Sequence, residues 1–324
     1  MNISIIIPIY NREEFINTCF ESLLKFSNAI SYEVVFVNDG STDDSLNKAQ
    51  ILADQYSFVT CINQENQGAA GARNTGMKHA KGEYFCFLDT DDWLNIDVIE
   101  ELFHFGKKNN FDLVSYKMET FDENYKSTGI VKSHPILYNE LMSGKDALIQ
   151  GYQPSSACVF LYKKDFIFHN NLSFFVGITQ EDVEFTARLL LVAKKVFFSS
   201  KIAYNYYKHS GSVSTPITKE KKEKYLLDAI KVAVLIKEQG LLCYNKDIRT
   251  FEAIQKNYNS VVWNLLLRFI TNPKEVDFDF KMTCLEGLKK EGLYPIKGKL
   301  KTNFQKLSAF FFNIEFVLNI FFKI

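Results

Sequence analysis

Asp89-Thr90-Asp91-Asp92 places three carboxylates within four residues. Such a cluster repels itself unless protons or a cation intervene. Hard oxygen ligands suit Mg2+ or Mn2+, which bind through one or two carboxylates together with the phosphates of a substrate. The same residues also fit an acidic helix start, with Asp92 capping a helix that begins near Leu94. The apolar run Tyr84–Leu88 directly before them favours the metal. Asp39, in Val37-Asn38-Asp39-Gly40-Ser41, suits acceptance of hydrogen bonds from a base or ribose, and equally suits a plain turn acid. The small residues of Gln67-Gly68-Ala69-Ala70-Gly71-Ala72-Arg73-Asn74 let backbone approach a ligand and let Arg73 reach a diphosphate; helix packing explains the same pattern. Glu181-Asp182 opens an apolar helical run. Acids there complement the helix dipole, or one acts as a general base that takes the proton of a sugar hydroxyl.

These groups need elements that bring them together. Ile3–Ile9, Tyr32–Asn38, Phe58–Asn63, Glu83–Leu88 and Phe111–Lys117 are short, apolar and strand-like. Between them lie helical segments at 12–27, 43–56, 68–80 and 95–109, with apolar spacings of three and four such as Phe15, Cys19, Leu23 and Phe26. This alternation predicts βαβ units and an α/β fold with a mostly parallel central sheet flanked by helices. Ligands bind such sheets beyond the carboxyl ends of the strands. Four successive strands each end there in polar residues: Pro8-Ile9-Tyr10-Asn11, Asn38 to Asp43, Asn66-Gln67-Gly68 and Asp89 to Asp92. That convergence predicts a ligand site. Further on, Ser156–Tyr162, Val196–Ser199 and Ile202–Tyr207 read as strands around a helix from Asp182 to Ala193, and 218–272 as two amphipathic helices separated near Gly240.

The chain of 324 residues is 47% hydrophobic, which excludes a disordered chain and a fibrous repeat. Its six cysteines are scattered singly, as expected of reduced thiols rather than disulfides or zinc ligands. No signal peptide is expected, because Met1-Asn2 runs straight into the first strand. Zero net charge hides an asymmetry: residues 1–217 hold 19 basic and 26 acidic side chains, residues 218–324 hold 19 and 12.

Taken in order, several motifs resemble family 2 glycosyltransferases. They are Ser4 to Asn11, Val37 to Asp43, Asn66 to Gly76, Gly82 to Asp92, Glu181-Asp182 and Tyr206-Tyr-Lys-His-Ser-Gly-Ser-Val-Ser214. The resemblance covers residues 3 to about 217 and implies a GT-A catalytic domain over 1–217, followed by a helical region over 218–324. It also implies inverting transfer from a nucleotide-diphospho-sugar, usually a UDP-sugar, with Mn2+ or Mg2+ as cofactor. On matching positions, Pro8, Tyr10, Asn11, Asp39, Asn66, Gly68, Arg73, Asp89, Thr90, Lys208 and Ser212 would bind the nucleotide-sugar, with Asp39 on the uracil or ribose. Asp91 and His209 would hold the metal. Asp182 would be the base, and Glu181 would orient the acceptor or donor. Many relatives carry Arg where this chain has Lys208, and Lys loses the planar fork for a diphosphate.

Within Leu307–Ile324, 13 of 18 residues are apolar, while Glu315, Asn319 and Lys323 fall on one helical face. The segment is too short and too charged to span a bilayer, which takes ~20 apolar residues. With Lys289, Lys290, Lys297, Lys299, Lys301 and Lys306 upstream, it predicts a helix lying on an anionic membrane surface. The alternatives are packing on the protein itself or on a second subunit in a homo-oligomer. The expected location is the inner face of the cell membrane, and the expected role is a hexosyl- or N-acetylhexosaminyltransferase acting on a glycan or lipid-linked acceptor for cell-surface polysaccharide. A sugar-nucleotide pyrophosphorylase would want a Gly-rich basic loop after the first strand, and Pro8 to Asn11 is none. A non-catalytic nucleotide-sugar-binding subunit would lack Asp91 or Asp182. Nucleic acid is not an expected partner.

Overall fold

The computed structural model describes residues 1–27, 29–209 and 218–323. The chain divides into two compact units. One comprises Met1–Gly144, Ser156–Gly177 and the stretch from Leu191 through the last strand; the other comprises Lys145–Ser155, Ile178–Leu190 and the C-terminal helices.

The first unit is an α/β sheet domain. Strands β1 (Ile3–Ile9), β2 (Tyr32–Asp39), β3 (Val59–Gln64) and β4 (Tyr84–Phe87) run parallel in the order β3-β2-β1-β4. β1 is buried along almost its whole length, as a strand covered on both faces must be. Helix α1 (Ile16–Leu23) buries Ile16, Cys19, Phe20 and Leu23, a single apolar stripe. Helix α2 (Ser45–Gln55) follows β2, and α3 (Gly68–His79) lies against β1 so closely that a Cβ at Gly76 would sit 2.2 Å from Ile6 Cγ2.

Beyond β4 the sheet becomes mixed. β5 (Trp93–Leu94) precedes helix α4 (Ile96–Asn109), and β6 (Leu113–Phe121), β7 (Ser127–Lys132), β8 (Glu140–Met142), β9 (Phe160–Lys163) and β10 (Val196–Tyr207) complete the ten strands of the sheet among the described residues. β9 is antiparallel to both β4 and β6, while β10 runs parallel to β6. The expected mostly parallel sheet is therefore parallel through β1–β4 and mixed outside them. Three local readings change. The strand expected over Ser156–Tyr162 starts as a 3-10 turn at Ala157–Val159, and the two strands expected at 196–207 are one strand with register shifts after Phe198 and after Ile202. Asp92 does not cap α4; the cap is Asn95, whose side chain accepts from the Val98 N–H at 3.4 Å.

The second unit is helical: α5 (Gly144–Gln150), most of α7 (Glu181–Val192), α8 (Lys219–Cys243), α9 (Ile248–Thr271), α10 (Phe278–Lys290), α11 (Asn303–Phe312) and α12 (Glu315–Lys323). The short α6 (Lys164–His169) belongs to the sheet unit. The break between α8 and α9 falls after Cys243, near Gly240 as expected though not on it. Gly240 is instead a packing position, where a Cβ would meet Ile254 at 2.8 Å. Asp247, Asp277 and Thr302 cap α9, α10 and α11, and Thr302 forms a capping box with Gln305.

The tail is two short helices rather than one. Asn313 interrupts it and exchanges hydrogen bonds with the Ile296 backbone. Its inner side packs: Trp263 stacks on Phe312, and Phe269 meets Phe322 edge-on. On the expected polar face, Glu315 is exposed and pairs with Lys289 at 2.7 Å, whereas Asn319 is half-buried with its Oδ1 out of contact with solvent. The outer side is apolar: Phe304, Leu307, Phe310 and Phe316 each expose 63–75% of their surface. Among the described residues, no helix is long and apolar enough to cross a membrane.

Candidate active site

The carboxyl ends of β1–β4 form one edge, and its loops are tied together by their own polar side chains. Asn11, at φ +51°, accepts from the Thr42 N–H at 2.8 Å, and its N–H donates to Ser41 Oγ at 3.0 Å. Asn11 thus joins the β1 and β2 loops, while Tyr10 beside it is exposed. Thr90 is buried and donates to the Pro8 carbonyl at 2.9 Å, fixing the loop after β4 to the end of β1.

Asp39 lies almost fully buried at the end of β2. One oxygen, Oδ1, accepts from Gln64 Nε2 at 2.7 Å and from the Gln67 N–H at 2.9 Å. Gly40 follows at φ +72°, a conformation that lets the chain turn toward Asn66. Asn38 Oδ1 and Gln64 Oε1 are buried acceptors with no hydrogen-bond partner in the structure. Leaving them so costs roughly 1–3 kcal/mol each, and a bound base or ribose would supply the missing donors. The composition of this edge did not single out Asn38 or Gln64, because unsatisfied acceptors are visible only in three dimensions. Gly68 opens α3 at φ +76° with open space beside it, and Asn66, also exposed, accepts from its N–H at 3.3 Å.

The acidic loop divides into three environments. Asp89 keeps 40% of its side chain exposed and accepts from Arg73 Nη2 at 3.0 Å. Arg73 is itself buried, with its guanidinium 5.7 Å from the Phe174 ring and 5.9 Å from the Phe87 ring. Asp91 Oδ2 lies 2.9 Å from His209 Nε2 and 4.0 Å from Arg12 Nε. Asp92 is buried, accepting from Tyr204 Oη at 2.6 Å and from the Tyr207 N–H at 2.7 Å. Burial first, and then the charges of Asp89 and Asp91, push Asp92 well above the usual carboxylate range. Asp92 is therefore a structural acid.

Tyr204 and Tyr207 carry this arrangement. Tyr204 Oη also accepts from the Asp89 N–H at 3.2 Å, and the Tyr207 ring stacks on His209 with 5.1 Å between centroids. Arg12, Tyr204 and Cys158, whose buried thiol is held protonated above all by burial, were missed by the sequence reading; they come from strands and loops remote in sequence. Lys208 is exposed at the end of β10, with its N–H donating to the Phe121 carbonyl. Ser212 lies outside the described residues.

Among the described residues, no three His, Cys, Asp or Glu side chains form a ready-made metal cage. The donor set that exists is one carboxylate and one imidazole, Asp91 and His209. That suits a cation completed by substrate phosphate oxygens and water, and it does not suit a structural zinc site with four protein ligands. All six cysteines are free, as the scattered spacing predicts.

Glu181 and Asp182 start α7 in the helical unit, and both are half-buried. Asp182 Oδ1 accepts from the Val183 N–H at 2.9 Å, and its charge reaches Tyr225, whose phenol is raised mainly by burial.

A parallel β3-β2-β1-β4 core with a mixed extension and an acidic loop at the carboxyl edge defines a GT-A-type fold. Residues 4–166 match Glycosyl transferase family 2, and the chain belongs to that family. A similar relative is an uncharacterized glycosyltransferase, YibD, of Escherichia coli, 30% identical over 217 residues that cover 65% of this chain and 63% of the relative, less than two thirds of its length. Among solved structures, Staphylococcus aureus TarS residues 1–349 in complex with UDP-GlcNAc align with TM-score 0.58 at 20% identity, covering 90% of this chain and 88% of that one. A mannosyltransferase of Pyrobaculum calidifontis in complex with GDP-Man and Mn2+ aligns with TM-score 0.53 at 14% identity, covering 97% and 87%.

Proposed function

We propose that this chain is a metal-dependent inverting glycosyltransferase. It moves a hexosyl or N-acetylhexosaminyl group from a nucleotide-diphospho-sugar, a UDP-sugar, to a hydroxyl of a glycan or lipid-linked acceptor in cell-surface polysaccharide synthesis. The observation that carries this reading is the Asp91–His209 pair at the strand edge, with Arg73 and Asp89 beside it and unsatisfied acceptors at Asn38 and Gln64. The UDP-GlcNAc and GDP-Man complexes of the similar structures support a nucleotide-sugar donor, and the Mn2+ in one of them supports a divalent ion.

In this reading residues 1–217 are the catalytic domain. Pro8, Tyr10, Asp39, Asn66 and Gly68 border the nucleoside, with Asp39 as acceptor for base or ribose. Arg73, Lys208 and Ser212 meet the diphosphate, and Asp89 and Thr90 border the ribose or donor sugar. Asp91 and His209 would hold Mn2+ or Mg2+, which when bound supplies Lewis-acid neutralisation of the leaving diphosphate. Asp182 takes the acceptor hydroxyl proton, while Glu181 orients the acceptor. The oxygen forms its bond to the anomeric carbon as the bond to the diphosphate oxygen breaks, and one displacement inverts the centre.

The helical region over 218–324 places the enzyme at the inner face of the cell membrane. The exposed row of Phe304, Leu307, Phe310 and Phe316 supports this, with lysines nearby to meet anionic headgroups. Three of those lysines are committed elsewhere: Lys289 pairs with Glu286 and Glu315, Lys299 pairs with Glu252 at 3.4 Å, and Lys301 lines a cavity. The test of the transfer reaction is nucleotide diphosphate release from a panel of nucleotide sugars with Mn2+, Mg2+ or EDTA. No release from any donor in the presence of acceptor-bearing membranes would sink the reading.

A further inference from the structure

The helical unit contains a cavity of about 220 Å3 between α7, α8 and α9 and the segment before α11. A cavity of roughly 150 Å3 already holds a benzene-sized molecule, so this one has room for a small ligand. Its wall is not apolar throughout. Lys301, Arg268, Asn257, Ser260, Gln180 and Tyr225 contribute to it.

Two of these groups lack what burial ordinarily demands. Asn257 is 5% exposed, and its Nδ2 donor has no hydrogen-bond partner in the structure. Lys301 makes no salt bridge among the described residues, and burial pushes its ammonium down to about 8. A buried donor without a partner is costly, and so is a half-buried cation without one. Arg268 differs: its guanidinium pairs with Glu275, so it adds no net charge to the wall. The uncompensated charge of the cavity is that of Lys301. A ligand that satisfies it is anionic and accepts hydrogen bonds from more than one direction, which a tetrahedral phosphoryl group does and Lys is suited to bind.

We propose that this cavity is a binding site for a phosphoryl group, held by Lys301 and Asn257, on a small molecule. The site lies within the helical unit and stands independently of the donor site in the sheet unit. Gln180 and Val183, which flank Glu181-Asp182, also line it. A phosphorylated sugar or polyol seated here would therefore lie beside the turn that carries Asp182.

The test is the melting temperature and calorimetric titration of the full chain with inorganic phosphate and with glycerol 3-phosphate, at constant ionic strength, with glycerol and acetate as controls. Both phosphates are expected to bind. Tighter binding of glycerol 3-phosphate identifies a phosphate carried on a polyol as the ligand, and equal binding identifies free phosphate. Lys301→Met should weaken binding at least tenfold, since a charge-assisted hydrogen bond is lost, and Lys301→Arg should retain it. Asn257→Leu, which removes a donor that has no partner, should fold normally and also bind more weakly. Phosphate binding that is unchanged in both Lys301→Met and Asn257→Leu, no binding of either phosphate by the wild type, or acetate binding as tightly as phosphate would overturn the proposal.

Discussion

Lys301 makes a quantitative prediction about stability. Burial takes its ammonium from the ordinary 10.5 to about 8. At about 1.36 kcal/mol per tenfold change, the full drop is worth about 3.4 kcal/mol. The side chain keeps some exposure, so we discount this to about 2 kcal/mol. Above 10.5 the amine is neutral in both folded and unfolded chains, and burial carries no charge penalty. Between 10.5 and 8 the unfolded chain holds a proton that the folded chain does not, so stability falls as the pH is lowered. Below about 8 both states are charged and the penalty is complete. Urea unfolding of the wild type and of Lys301→Met, followed from about pH 7 to about pH 10, isolates this group from other titrating residues. The wild type should gain about 2 kcal/mol relative to the variant over that range. At neutral pH the variant should be the more stable protein while losing the phosphate site. A stability difference that does not change with pH would refute the reasoning, because it would mean that Lys301 reaches water or a carboxylate in solution.

Asp91→Ala should abolish the Mn2+ dependence of nucleotide-sugar binding, measured by titration with and without EDTA; metal-dependent binding that survived would remove Asp91 from the ion. Asp182→Asn should bind donor normally but lose transfer by 100-fold or more, the scale of general-base catalysis, and near-normal turnover would assign the base elsewhere. Tyr204→Phe deprives the buried Asp92 of a donor and the Asp89 N–H of its acceptor, so unfolding should show a loss of about 2 kcal/mol; a negligible loss would show that the acidic loop is held by other contacts. Phe310→Glu with Phe316→Glu should move the protein from anionic vesicles to the supernatant in a sedimentation assay without changing its melting temperature, since both rings are exposed; unchanged partitioning would mean that another subunit covers this face.

The sequence alone determined the α/β alternation, the parallel first half of the sheet and the polar strand ends. Each depends on local features: β1 is an unbroken apolar run, α1 repeats its apolar residues at helical spacing, and Gly40 and Gly68 sit where the backbone needs positive φ. The family was legible for the same reason, in short motifs whose residues are neighbours in the chain. Only the tertiary structure decided what each acid does. Asp89, Asp91 and Asp92 look alike as letters, yet one meets Arg73, one meets His209 and one is buried against Tyr204. Those environments depend on burial and, for Asp91 and Asp92, on partners more than a hundred residues away, which no local pattern encodes. The same holds for Lys301, which counted as one of six basic residues beside an apolar tail until packing turned it into the wall of a cavity. The division of the tail into two helices is likewise tertiary: it falls at Asn313, whose side chain both accepts from and donates to the Ile296 backbone.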